Sequence, residues 1–157
     1  METIFDLLHA QPHHDEPGRA SGLGRPLVTT LPTATVREAT ILMNQHSIGS
    51  LLVMQGRRLV GIFTERDVLR RVVAESLSPD TTLVREVMTV DVCCCTTETS
   101  IDDVSDLMRD HRVRHVPILD AHEEVVGLVS IGDVNAHRAV NCAVELNQMH
   151  DYLFRRA

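Results

Sequence analysis

The chain contains no lysine and no tryptophan, and its ring inventory is one tyrosine and three phenylalanines. Stacking on nucleic-acid bases is therefore largely unavailable to it. Every basic side chain is arginine, scattered through a chain whose net charge is −7. A general nucleic-acid binder needs a broad basic field, so that class is set aside. Any anion held here is small and held locally. Proline and glycine are few, and Pro12, Pro17, Gly18, Gly22, Gly24 and Pro26 crowd into 11–26, which reads as a flexible loop. No apolar run is long enough to span a bilayer. The opening METIFDLLHAQ lacks the basic region and long apolar core of a secretory signal. The expected setting is a cytoplasmic, reducing one, with no membrane contact.

Cysteine is scarce as well, and three of the four are adjacent: Cys93, Cys94 and Cys95, with Cys142 apart. That arrangement suits neither a disulfide framework nor a Cys-x-x-Cys metal knuckle. Neighbouring positions on a strand point to opposite faces, so these three read as small buried thiols. His9, His13 and His14 have no acids at ligand spacing, and no metal site is assigned. There is no P-loop, no HExxH and no nucleophile beside a base, so an enzyme is not expected.

What is present is a device carried twice, GIFTERD at 61–67 and GLVSIGD at 127–133. Each runs apolar residues into a hydroxyl, Thr64 or Ser130, with an acid three positions on, Asp67 or Asp133. This reads as a buried strand ending where a helix begins. A helix start attracts anions, because its N–H groups lack partners and the peptide dipoles add. The hydroxyl and the carboxylate together suit a phosphate and a sugar diol. The same pattern is also a plain N-capping arrangement that requires no ligand.

The surroundings of the device repeat too. Val36 and Ile101, Met43 and Met108, and His46 and His111 are each 65 positions apart, whereas Gly61 and Gly127, and Asp67 and Asp133, are 66 apart. One extra residue therefore sits in the second hairpin turn, where insertion costs little. Helical spacing of apolar residues predicts helices over 35–46 and 100–111, the first opened by a Thr35/Glu38 capping box. Strands are expected at 26–30, 50–54, 59–63, 90–95, 115–119 and 125–129. A helix over 64–75 should turn Val68, Leu69, Val72 and Val73 inward. Residues 84–89 read as a short helical entry to the second repeat, and a long helix runs on from Ile131. The division is an N-terminal helix and loop at 1–26, repeats at 27–76 and 84–138, a linker at 77–83 and a helical extension at 139–157. The fold class is mixed α/β (α+β), two pseudo-symmetric β-α-β-β-α units packed sheet to sheet over a shared face with two equivalent clefts.

On these residues the sequence resembles the CBS-domain family, whose tandem copies form a Bateman module. The resemblance rests on Gly61-x-x-Thr64-x-x-Asp67 and Gly127-x-x-Ser130-x-x-Asp133, on helices ending LMNQH and LMRDH, on Val87-Met88-Thr89 and on His115-Val116-Pro117. It covers most of the chain and matches the small stand-alone bacterial type. It implies a regulatory module that binds an adenosine-containing ligand such as AMP, ADP, ATP, NAD or S-adenosylmethionine. It further implies that Asp67 and Asp133 hold ribose hydroxyls and that Thr64 and Ser130 face ribose or phosphate. Phosphates would meet Arg112, Arg114 and His115 in the second repeat, where the first has only Ser47, Gly49 and Ser50; Arg66 partly compensates in the first. Adenine would pack on aliphatic side chains, with Ile48, Val53 and Val116 as candidates. A homodimer and an unknown regulated protein are the expected partners. The alternative is a ligand-free dimeric interaction protein with vestigial clefts.

Overall fold

The structure is a computed structural model, and it describes residues 2–9, 21–22 and 25–154. Residues 11–20 of the expected loop, with His13 and His14, lie outside the described residues. Two three-stranded sheets carry the fold. In the first, β3 (Thr29–Thr30) runs parallel to β4 (Ser50–Gln55), which pairs antiparallel with β5 (Arg58–Thr64). In the second, β6 (Cys95–Thr96), β7 (His115–Leu119) and β8 (Val125–Ser130) repeat that order and those directions. A small strand pair, β1 (Ser21–Gly22) with β2 (Arg25–Pro26), lies beside β8. Two strands are shorter than their sequences suggest. The expected strand at 90–95 is ordered only at Cys95–Thr96, and that at 26–30 only at Thr29–Thr30, because each pairs with just two residues of its central strand.

Each repeat has its main helix where the periodicity places it. Helix α2 (Val36–His46) starts at the capping box: the Glu38 N–H donates to the Thr35 hydroxyl at 3.2 Å, and the Glu38 carboxylate accepts from the Thr35 N–H at 2.8 Å. Helix α5 (Ile101–Asp110) is capped by Ser100. The hairpin turns differ as expected. Met54 pairs with Leu59, and Leu119 with Val125, so the second turn holds one more residue. Asp120 organises that longer turn by accepting from the His122 and Glu124 N–H groups at 2.8 and 2.9 Å. The two turn tips meet across the pseudo-twofold axis, where Arg57 pairs with Glu124 at 2.6 Å.

The buried residues fall into two clusters, one per repeat. The first joins Val36, Ala39 and Met43 to Leu51, Val53 and Phe63. The second joins Ile101, Val104 and Met108 to Val116, Ile118 and Val129. Each sheet therefore buries one face against its own helices, and the face between the repeats is not the main core. Leu52 is fully buried yet belongs to neither cluster; by alternation it lies on the opposite sheet face, with its partner Ile62.

Three sequence expectations change. Helix α4 (Val84–Val87), read as the entry to the second repeat, packs into the first: Val84 and Val87 are buried there, and the Val36 N–H donates to the Thr82 carbonyl at 2.9 Å. The slot in the second repeat is filled by α1 (Ile4–His9), through Ile4, Leu7 and a 3.1 Å bond from the Ile101 N–H to the Glu2 carbonyl. The expected helix at 64–75 is a single α-turn, α3 (Glu65–Asp67), continued by a π-helix (Val68–Val73). Its wide turns bury Val72 but leave Leu69 and Val73 64% and 63% exposed, so those two do not face inward. Helix α6 (Ile131–Phe154) buries Val134, then leaves Val140, Val144, Leu146 and Met149 exposed. Among the described residues no helix is long and apolar enough to cross a membrane.

Candidate functional site

Both copies of the device close a capping box. At the first, the Thr64 N–H and hydroxyl donate to Asp67 Oδ2 at 2.9 and 2.8 Å, and the Asp67 N–H returns to Thr64 Oγ1 at 3.3 Å. At the second, the Ser130 N–H donates to Asp133 Oδ2 at 2.8 Å and the Asp133 N–H to Ser130 Oγ at 3.3 Å. In each carboxylate one oxygen serves the cap. The other oxygen of Asp67 lies 3.5 Å from Arg71 Nε, while that of Asp133 has no hydrogen-bond partner among the described residues. The capping reading is thus realised, and it leaves one oxygen of each acid to face a cleft.

The clefts are unequal. The larger, of about 700 Å³, is lined by Thr64, Arg66, Asp67, Arg70 and Arg71 from the first repeat and by Arg112, Arg114 and His115 from the second. The smaller, of about 170 Å³, is lined by Ser130 and Asp133 from the second repeat, by Ser47, Ile48, Gly49 and Ser50 from the first, and by Leu27, Val28 and Leu128. Small-molecule sites run from about 300 to 1,000 Å³, so only the larger has room for a nucleotide-sized ligand.

Each device faces the helix-to-strand turn of the other repeat. This corrects the sequence-based assignment of Arg112 and Arg114 to the second device. The pseudo-twofold packing carries them to Thr64 and Asp67, and leaves Ser130 and Asp133 opposite an uncharged stretch. Thr64, Arg66, Asp67, Arg112, Arg114 and His115 come together in one cleft. Ser130, Asp133 and Ile48 come together in the other, and His115 lines both. Val53 and Val116 line neither. Both are fully buried in the helix-side cores, because alternation sends them to the opposite sheet face. The apolar walls are Ile62 and Val113 in the larger cleft and Leu27, Val28, Ile48 and Leu128 in the smaller.

Sequence reasoning also missed Arg70 and Arg71. They follow Asp67 by three and four positions, the helical spacing that puts side chains on one face. Arg71 is tied into the fold: one guanidinium nitrogen donates to the Val87 and Met88 carbonyls at 2.9 and 2.8 Å, satisfying the end of α4. Arg66 crosses to the second repeat and donates to the Arg112 carbonyl at 3.0 Å. Arg112 itself has φ of +54°, two positions past the end of α5, as Ser47 has +52° directly after α2. Burial, the largest influence on His115, holds its pKa below the ordinary histidine value. Arg114 acts in the same sense, and Asp133 and Glu65 oppose it.

Burial pushes the Cys95 thiol up to about 12, which fits an inert packed group. Cys93 and Cys94 are only half-buried, so the expectation of three buried thiols holds for Cys95 alone. Among the described residues no group of three or more His, Cys, Asp or Glu is placed to hold a metal ion.

Comparison with known proteins joins this geometry to a family. The CBS domain family matches residues 23–74 and again 84–139. The CBS domain-containing protein YhcV of Bacillus subtilis is 34% identical over 115 residues, covering 73% of this chain and 81% of its own. A CBS-domain containing protein from Agrobacterium tumefaciens superposes with a TM-score of 0.74 at 30% identity, over 87% of this chain and 98% of that one. A CBS domain protein from Pyrobaculum aerophilum, solved in complex with AMP, superposes at 0.64 with 28% identity, over 69% and 83%. The chain belongs to the CBS-domain family and carries two copies of the domain.

Proposed function

We propose that this chain is a regulatory module that binds one adenine nucleotide in its larger cleft and passes the occupancy to a partner protein. The observation that carries this is the convergence of five arginines on Asp67 and Thr64 in a cleft of about 700 Å³, within a chain of net charge −7. Arginine suits phosphate because its planar fork makes paired, charge-assisted bonds. Asp67 accepts from the ribose hydroxyls through the oxygen that Arg71 now faces. Adenine packs on the apolar side, at Ile62 and Val113. The AMP complex of the Pyrobaculum protein supports an adenosine ligand for this fold.

The chain acts by binding, not by catalysis. Ligand in the larger cleft touches both repeats and so biases their mutual placement, by as much as its affinity differs between the two placements. The exposed Leu69, Val73, Val140 and Val144 supply apolar area for a second copy of the chain, which makes a homodimer the assembly we expect.

Calorimetry on wild type, Asp67→Ala and Asp133→Ala tests the reading. Each variant loses one cap, a similar stability cost of about 1 kcal/mol. AMP or ATP should bind wild type and Asp133→Ala with one site per chain and fail to bind Asp67→Ala. Equal loss in the two variants, or two sites per chain, would remove the assignment. No binding to wild type, with dimerisation intact, would favour an interaction protein whose clefts hold nothing.

A further inference from the structure

The five arginines of the larger cleft divide into two kinds. Arg66 and Arg71 are held by backbone carbonyls, and Arg71 also faces Asp67. Arg70, Arg112 and Arg114 have no side-chain hydrogen bond or ion pair among the described residues, yet all three line the same space. The two carboxylates there offer little relief. Asp67 is shared between its cap and Arg71, and Glu65 lies against Gly49. Three uncompensated guanidiniums therefore face one cleft from two repeats, in a protein that is otherwise acidic. Like charges gathered this way repel one another until an anion enters.

We infer that the larger cleft selects a nucleoside polyphosphate over the monophosphate, and that the smaller cleft admits no phosphate; this rests on the nucleotide reading above. A phosphate monoester carries about −1.5 to −2 charges near neutral pH. That suffices for Arg66 and one free guanidinium. Two further phosphates extend the anion toward the remaining two. The smaller cleft is built the other way. Its lining includes no arginine; its one basic side chain is His115, which burial holds toward the neutral form, and a phosphate there would face Asp133 among Leu27, Val28, Ile48 and Leu128. Desolvating an anion without a cation is costly.

The test is calorimetric titration of the full chain with AMP, ADP, ATP and inorganic tripolyphosphate, at low and at high salt. Affinity should rise by roughly tenfold or more per added phosphate, the scale of one charge-assisted hydrogen bond. Its salt dependence should steepen in the same order. Arg112→Gly is the variant of choice, because glycine adopts φ of +54° without strain and the fold is kept. It should narrow the gap between ATP and AMP at least tenfold, and Arg70→Gln should narrow it too. If AMP binds as tightly as ATP, the polyphosphate inference is overturned and the nucleotide reading survives. If tripolyphosphate binds and no nucleotide does, the nucleotide reading fails and the nucleoside polyphosphate inference that rests on it falls with it. If nothing binds, both fall.

Discussion

Gly61→Ala is the substitution whose cost can be worked most directly from the coordinates. A Cβ at Gly61 would sit 2.5 Å from Met88 Sδ, 3.1 Å from Met88 Cγ and 2.9 Å from the Thr89 carbonyl oxygen. The methionine can swing aside in part. The Thr89 carbonyl cannot, since it accepts from the Ile62 N–H at 2.9 Å and the Thr89 N–H donates back to Ile62 at 2.9 Å. Overpacking of this kind costs about 1–3 kcal/mol. Loosening one or both backbone bonds adds about 1 kcal/mol each. Alanine returns about 0.5 kcal/mol through lower chain entropy. The net expectation is a loss of about 2–4 kcal/mol, measured by urea denaturation. Because Ile62 and Thr89 both line the larger cleft, nucleotide affinity should fall with it. Gly132→Ala is the matched control. It sits in the first turn of α6, and its Cβ would meet only Ser130 Oγ, at 3.5 Å. Alanine there should stabilise by up to about 1 kcal/mol and leave the larger cleft unchanged. A Gly61→Ala protein within about 0.5 kcal/mol of wild type, the spread of an ordinary surface change, would show that 88–89 does not cross β5 at contact distance.

Two further perturbations probe other parts of the fold. Ile4 is fully buried in the core of the second repeat, so Ile4→Ala should cost about 2–4 kcal/mol. Hydrogen exchange should then speed up at Val116 and Val129 before it does at Leu51 and Phe63; uniform acceleration would refute the docking of α1 on the second repeat alone. For His115 the folded pKa lies below the ordinary value of about 6.5, so the unfolded chain takes up a proton first as pH falls. Stability should therefore decline below about pH 6.5 and level off once the folded histidine also protonates. His115→Gln should flatten that part of the profile, and an unchanged profile would assign the decline to other groups.

Much of this architecture was legible because duplication writes each core position twice. Met43 and Met108, 65 positions apart, share a role, as do Phe63 and Val129, 66 apart, and both offsets are written in the sequence. Hidden were features that depend on which segments meet in space. The α4 segment precedes the second repeat in sequence and completes the first in space. Its likeness to residues 3–8 (T-I-F-D-L-L beside L-V-R-E-V-M) was the available signal. The π-helix left none: Val68, Leu69, Val72 and Val73 fit an α-helical face, and only the wider turn exposes Leu69 and Val73. Val53 and Val116 failed by parity. Alternation names two faces of a strand and does not say which one meets the ligand.

The same pairing in space explains why the two clefts differ so much. Four equivalent positions differ in charge between the repeats: Ser47 and Arg112, Gly49 and Arg114, Glu65 and Ile131, Arg66 and Gly132. Taken repeat by repeat, the charges look evenly shared, two turn arginines in the second and an acid with an arginine in the first. Because each device faces the opposite turn, all four charged members line the larger cleft, and none lines the smaller. Were each device served by its own turn, the same substitutions would give two moderately charged clefts. The trans arrangement instead makes one strongly cationic cleft and one nearly neutral one. Exchanging the turns should move the anion site: Ser47→Arg with Gly49→Arg, in a chain carrying Arg112→Ser and Arg114→Gly, should shift the dependence of inorganic phosphate binding from Asp67 to Asp133, where about 170 Å³ leaves no room for a whole nucleotide. The side chain introduced at position 49 would first have to displace Glu65, whose carboxylate lies 3.2 Å from where a Cβ on Gly49 would stand, so Glu65→Ile belongs in the same chain. Calorimetry on that chain with Asp67→Ala or Asp133→Ala added decides it, and dependence that stays with Asp67 would show that the arginines do not set which cleft is used.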